Sequence, residues 1–112
     1  MILSVSDKNA MLQGLADKLN DATTSLTIYI DVDAVAVFAM PNPIQASITG
    51  GVLSFDLPAR VLASQSGIPT TAKLTNSAGS EIIFNVGSEI VLDKPEIYAG
   101  GYVSLTSLTI TI

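Results

Sequence analysis

Along the chain the spacing of apolar residues changes period once, near residue 23. Before that point Met11, Leu12, Leu15, Leu19 and Ala22 recur at three- and four-residue intervals. That spacing predicts an amphipathic helix over residues 6–21. Ser6 is placed to cap it, Asp7 lies in the first turn where the helix dipole favours an anion, and Lys18 has the complementary sign near the end. Gly14 weakens the middle by about 1 kcal/mol relative to Ala. A helix this short persists by docking, so it is expected to pack on the rest of the chain.

From residue 23 the period is two. TSLTIYID sets Leu26, Ile28 and Ile30 against Thr27, Tyr29 and Asp31, the alternation of a half-buried strand. After a turn at Asp31–Asp33, AVAVFAM is nearly all apolar and reads as a strand covered on both faces. Pro41-Asn42-Pro43 ends it. Strands at Gln45–Ile48 and Val52–Asp56 flank Gly50-Gly51, a hairpin-type turn. Residues 58–69 lack a period and are expected to form a loop with a short turn. Thr71–Thr75 and Glu81–Val86 flank Asn76-Ser77-Ala78-Gly79, a second hairpin by its turn chemistry. Ile90–Leu92 is a short strand, and a loop follows through Lys94-Pro95 to Gly100-Gly101.

The closing YVSLTSLTITI is rich in β-branched residues. Val103 and Leu105 share one parity, whereas Leu108, Ile110 and Ile112 share the other. A regular strand cannot bury both sets, so a β-bulge is expected at Thr106-Ser107. About eight short strands and one leading helix predict a mainly β fold, an antiparallel sandwich of jelly-roll or immunoglobulin-like type with an N-terminal helix. Residues 1–22 form the helical segment packed on the domain, and residues 23–112 form the sandwich.

Composition narrows the chemistry. The chain of 112 residues has no Cys, His or Trp. This excludes disulfides, thiolate metal sites, a thiol nucleophile, an imidazole base and a serine triad of the usual kind. Only 13% of residues are charged, against 48% hydrophobic, so the surface is built largely from Ser, Thr, Asn and Gly. Five scattered basic residues (Lys8, Lys18, Arg60, Lys73, Lys94) in a chain of net charge -5 leave no footprint for direct nucleic-acid binding. No apolar run has the length of a membrane-spanning helix, and MILSVSDKNAMLQ lacks the basic region of a signal peptide. No membrane contact and no secretory export are expected.

The remaining candidates are few. Asp31 and Asp33 could give two oxygen ligands to calcium, but a calcium site needs several more; turn carboxylates capping backbone amides account for them better. No pair among the ten acids stands out for glycoside hydrolysis. Gly50-Gly51 and Gly100-Gly101 are turn glycines, since neither pair precedes a helix or carries the lysine of a phosphate loop. Tyr29, Tyr98 and Tyr102 could form a sugar-binding platform, but they lie in distant segments, and tyrosines bridging core and solvent explain them more simply. No catalytic, cofactor-binding or metal-ligating residue is assigned, and no enzyme is expected.

In order, LADKLNDA leads into SLTIYI, followed by the Gly50-Gly51 hairpin, the TTAKLTNSAGSEIIFNVG hairpin and the closing VLDKPEIYAGGYVSLTSLTITI. This layout resembles small all-β virion structural proteins of tailed bacteriophages. The resemblance covers most of the chain from about Leu12 and is carried by pattern; residues 56–69 and the Asp31–Asp33 turn fit it poorly. It implies a virion protein without catalytic residues, a capsid decoration (cement) protein that binds and stabilises the outer shell. The implied partners are the major capsid protein or other virion proteins and further copies of the chain, as a trimer or dimer, assembled in the host cytoplasm. A small tail, neck or baseplate component is the first alternative, and a carbohydrate- or host-binding β-module is the second.

Overall fold

A computed structural model describes residues 1–112. One helix, α1 (Val5–Leu19), is followed by ten strands: β1 (Ser25–Ile30), β2 (Asp33–Ala39), β3 (Gln45–Thr49), β4 (Val52–Phe55), β5 (Val61–Leu62), β6 (Thr71–Thr75), β7 (Glu81–Asn85), β8 (Ile90–Leu92), β9 (Tyr102–Val103) and β10 (Leu105–Thr111). Two four-stranded antiparallel sheets, ordered β2-β1-β6-β7 and β3-β4-β10-β8, pack together as a β-sandwich with an N-terminal helix. Leu26, Ile28, Phe38, Leu74 and Phe84 from the first sheet share one apolar core with Leu53, Phe55, Ile90, Leu92 and Leu108 from the second. The molecule measures 44 × 26 × 22 Å.

The helix begins earlier than its composition suggests. Ser4, not Ser6, is the N-cap: its Oγ accepts from the Asp7 N–H at 3.1 Å and donates to the Asp7 carboxylate at 3.0 Å. Ser6 is adjacent to Asp7, whereas Ser4 has it at the three-residue spacing of a reciprocal cap. The buried stripe is Leu12, Ala16 and Leu19, whereas Met11 is exposed and Ala22 lies beyond the helix. The stripe packs on the β3–β4 hairpin, fastened at both ends. The Gly51 N–H donates to Asn9 Oδ1 (2.9 Å), and the Ile44 N–H donates to Asn20 Oδ1 (2.7 Å). At the helix C-terminus the Thr24 hydroxyl donates to the Leu19 carbonyl, and the Asn76 amide donates to Lys18 O and Thr24 Oγ1.

β2 is an edge strand, and its alternating burial leaves one face exposed, so it is not covered on both faces. Against β1, Ile28 pairs with Ala36 and Tyr29 with Ala34, so Val35 is an inserted residue. The bulge lets Val35 and Ala36 both face inward, while Val37 points out and is 56% exposed. The expected bulge in the closing segment is present. Leu105 pairs with Leu92 and Ser107 with Val91, leaving Thr106 inserted. Val103, Leu105 and Leu108 are buried and Ile110 packs partly against the core. Ile112 does not join them: pairing with β4 ends at Thr111–Val52, and Ile112 is exposed beside the Gly50-Gly51 turn.

Residues 58–69 are not a free loop. Val61 pairs with Val103 and Leu62 with Tyr102, and the same register reappears at Gly67 with Ile97, where each N–H donates to the other's carbonyl at 2.9 Å. Segments 61–67 and 97–103 thus form an irregular two-stranded ribbon. Its inner side chains are Ala63, Ile97 and Val103, all buried. The ribbon is tied to the first sheet where the Ser64 N–H donates to the Val35 carbonyl at 2.8 Å.

Candidate interaction surfaces

At the β1–β2 turn, Asp31 adopts φ 55°, a left-handed conformation that aspartate tolerates better than most residues. Its N–H is held by Thr70 Oγ1 at 3.0 Å. The carboxylates of Asp31 and Asp33 do not cap the turn, contrary to expectation. Both residues are exposed, as is Val32 between them at 88%. No group of three acids is placed to hold a metal ion. Side-chain capping falls elsewhere. Asp21 accepts from the Thr23 hydroxyl (2.6 Å) and the Thr23 N–H (2.7 Å), which lower its pKa. Asn76 Oδ1 accepts from the Ala78 and Ser80 N–H groups in the β6–β7 turn.

Gly50 and Gly51, at φ 61° and 79°, make the two-residue turn that a tight hairpin demands, and no helix follows them. Gly100 and Gly101 lie within the 97–103 segment of the ribbon, paired with Ala63, at a local turn where the Gly101 N–H donates to Tyr98 O.

The tyrosines divide. Tyr29 is half-buried on the outer face of the first sheet, with Lys73 Nζ 5.9 Å from its ring centroid. Tyr98 and Tyr102 are both more than half exposed on the ribbon, so they do not bridge core and solvent as expected. One face of Tyr102 is covered by the Arg60 guanidinium, 3.9 Å from the ring centroid.

Two surfaces result. On the outer face of the first sheet, strand register aligns Val37, Thr27, Lys73 and Ile83 in one row across four strands. Ile83 is 59% exposed, and Lys73 is neutralised by Glu81 at 3.5 Å. A shallow open groove of about 380 Å³ lies on this face between Tyr29, Asp31, Val32, Thr71, Lys73 and Ile83. On the ribbon, Leu62 stands opposite Tyr102 and beside Arg60. The alternation of Arg60 and Leu62 against Val61 and Ala63 is the one sequence signal that could have shown this second surface.

Compared with protein-family models, with curated proteins and with solved structures, the chain has no match.

Proposed function

We propose that this chain is a virion structural protein of a tailed bacteriophage, a capsid decoration subunit that binds the assembled shell and braces it, without turnover. The observation that carries the reading is the outer face of the first sheet. It is a broad four-stranded surface of Thr and aliphatic side chains, with Val37 and Ile83 exposed and its one cation already paired. Such a surface suits contact with a neighbouring protein through apolar area and shape. The resemblance of the strand and turn order to small phage virion proteins supports the same reading. Symmetry would multiply a modest contact on each subunit into large avidity. Because few charges are available, binding should survive moderate salt, where a charge-steered interface would weaken.

The test is to mix purified protein with mature particles that lack it, then sediment and image them. Saturable occupancy of the capsid surface, lost in Val37→Glu and Ile83→Glu variants, supports the reading. Density confined to the tail or neck would transfer the protein there, and no association with particles would refute it.

A further inference from the structure

We infer that a second copy of this chain pairs with β7 edge to edge, antiparallel about Ile82, so that two four-stranded first sheets become one continuous sheet. The reason lies in which backbone groups the fold leaves open.

Antiparallel strands exchange bonds at every second residue pair, and the residues between aim their N–H and C=O groups the other way. In the β6–β7 hairpin the Val86 N–H donates to Thr70 O at 3.2 Å and the Asn76 N–H to Ser80 O at 3.4 Å. The register between them, Ala72 with Phe84 and Leu74 with Ile82, keeps that phase without a bulge. Ile82 and Phe84 therefore bond to β6, whereas Glu81, Ile83 and Asn85 turn their backbone groups to the free edge of the sheet. Asn85 is already closed: its N–H donates to Glu89 Oε1 at 3.2 Å, and its carbonyl accepts from the Glu89 N–H at 3.3 Å. Glu81 and Ile83 have no strand beyond them.

The other sheet edges are blunted by devices that keep strands from pairing. β2 has the inserted Val35, whose carbonyl takes the Ser64 N–H. β3 has a register shift between Gln45 and Ser47. β8 is only three residues long, and Ile90 O accepts from the Gly87 N–H. β7 has neither a bulge nor a tie at Glu81–Ile83, and its one charge, Glu81, is neutralised by Lys73 at 3.5 Å.

The register of this edge favours a second copy over a foreign strand. A long strand laid along β7 would run into the closed end at Asn85 just past Ile83. A second copy set with Glu81 opposite Ile83, and Ile83 opposite Glu81, spends the open groups of both chains on each other. The same register brings Gly79 of the second copy opposite Asn85. Gly79 has φ 90°, and the space where its Cβ would stand is empty. The closed end of each β7 thus faces a residue without a side chain. Ile82, only half-buried on the inner face, meets its own counterpart at the axis, and Ile83, 59% exposed, lies beside the Glu81 stem. Residue i meeting j while j meets i is the self-complementary contact of a two-fold dimer. Pairing in plane also makes the outer faces of the two first sheets continuous.

The test needs only the purified chain, so its outcome is separate from that of shell binding. Sedimentation equilibrium should show a monomer–dimer equilibrium. Amide exchange followed by NMR should show protection at Glu81 and Ile83 that grows with protein concentration, while Ile82 and Phe84 are protected throughout. Ile83→Pro removes the outward N–H without taking a bond from β6, the placement at which an edge strand tolerates proline. Losing that bond at both symmetric positions should weaken the dimer about tenfold or more. Ile83→Thr keeps the N–H and the branched shape and should dimerise nearly as wild type does. Circular dichroism checks that both variants fold; if proline disrupts β7, the exchange profile decides alone. A chain that stays monomeric up to millimolar concentration would overturn the inference. So would a folded Ile83→Pro variant that dimerises as wild type does, or a dimer whose Glu81 and Ile83 amides exchange as fast as in the monomer.

Discussion

Deleting Thr106 tests the logic of the closing strand. β10 runs through the second sheet between β4 and β8, and Thr106 is the inserted residue that lets Leu105 and Leu108 both face the core. The two leucines are three residues apart, so a regular strand would send them to opposite faces. Without Thr106 they are two apart: Leu105, Ser107 and Leu108 keep Leu92, Val91 and Ile90 as partners in unbroken register, and Leu108 and Ile110 stay on the inner side. The deletion therefore removes the bulge and the exposed hydrogen bond from the Thr106 hydroxyl to Val91 O, a loss of about 1 kcal/mol. Leu108→Ala instead truncates a side chain that is 2% exposed, at about 2–5 kcal/mol. Urea unfolding followed by circular dichroism separates the two: with an m-value of about 2 kcal/mol/M, the deletion lowers the midpoint by about 0.5 M and Leu108→Ala by about 1–2.5 M. A deletion as costly as Leu108→Ala would mean that the bulge does not set the strand's phase.

Gly67→Ala should destabilise by about 1–3 kcal/mol, because the new Cβ would sit 2.8 Å from Ile30 Cδ1; Ile30→Val, which removes that atom, should be less costly in the Gly67→Ala background than in wild type, measured as a double-mutant cycle in urea. Ser4→Ala should cost about 1 kcal/mol in thermal or urea unfolding and Ser6→Ala much less, since only Ser4 caps the helix. The Asp21 pKa is lowered in the fold by its hydrogen bonds from Thr23, so its contribution is present above the unfolded carboxyl pKa and is lost as pH falls through the folded one. Acid titration of stability should therefore be shallower in Asp21→Asn than in wild type over that acidic window, and an unchanged profile would show that Asp21 contributes nothing.

What could be read from the residues follows from how local each signal is. The Gly50-Gly51 and Asn76–Gly79 turns name their own conformations, and both hairpins form where those residues stand. The bulge at Thr106 is legible because the two apolar sets of one strand contradict each other in parity. Apolar content alone misleads for β2: an apolar run looks the same whether it is covered on both sides or is an edge strand with an inserted Val35. The ribbon joining Val61–Gly67 to Ile97–Val103 depends on pairing between distant segments, and two-residue strands leave little periodicity to detect. For the same reason the Arg60–Tyr102 stack is invisible in the sequence, although Tyr98 and Tyr102 stand out there as candidates.

The position of β10 also dictates an order of folding. The first sheet draws all its strands from residues 25–85, so its pairing can be complete while the rest is still being synthesised. The second sheet has no such option. Its β3–β4 hairpin has no route to β8 except through β10, which is made after the other three strands of that sheet. Until residues 105–111 arrive, Leu53 and Phe55 lack their neighbour strand, and an open β4 edge is available to other chains. Ribosome-bound chains stalled before Leu105 should therefore hold a formed first sheet beside an incomplete second one, the stage at which the growing chain is most exposed to mispairing.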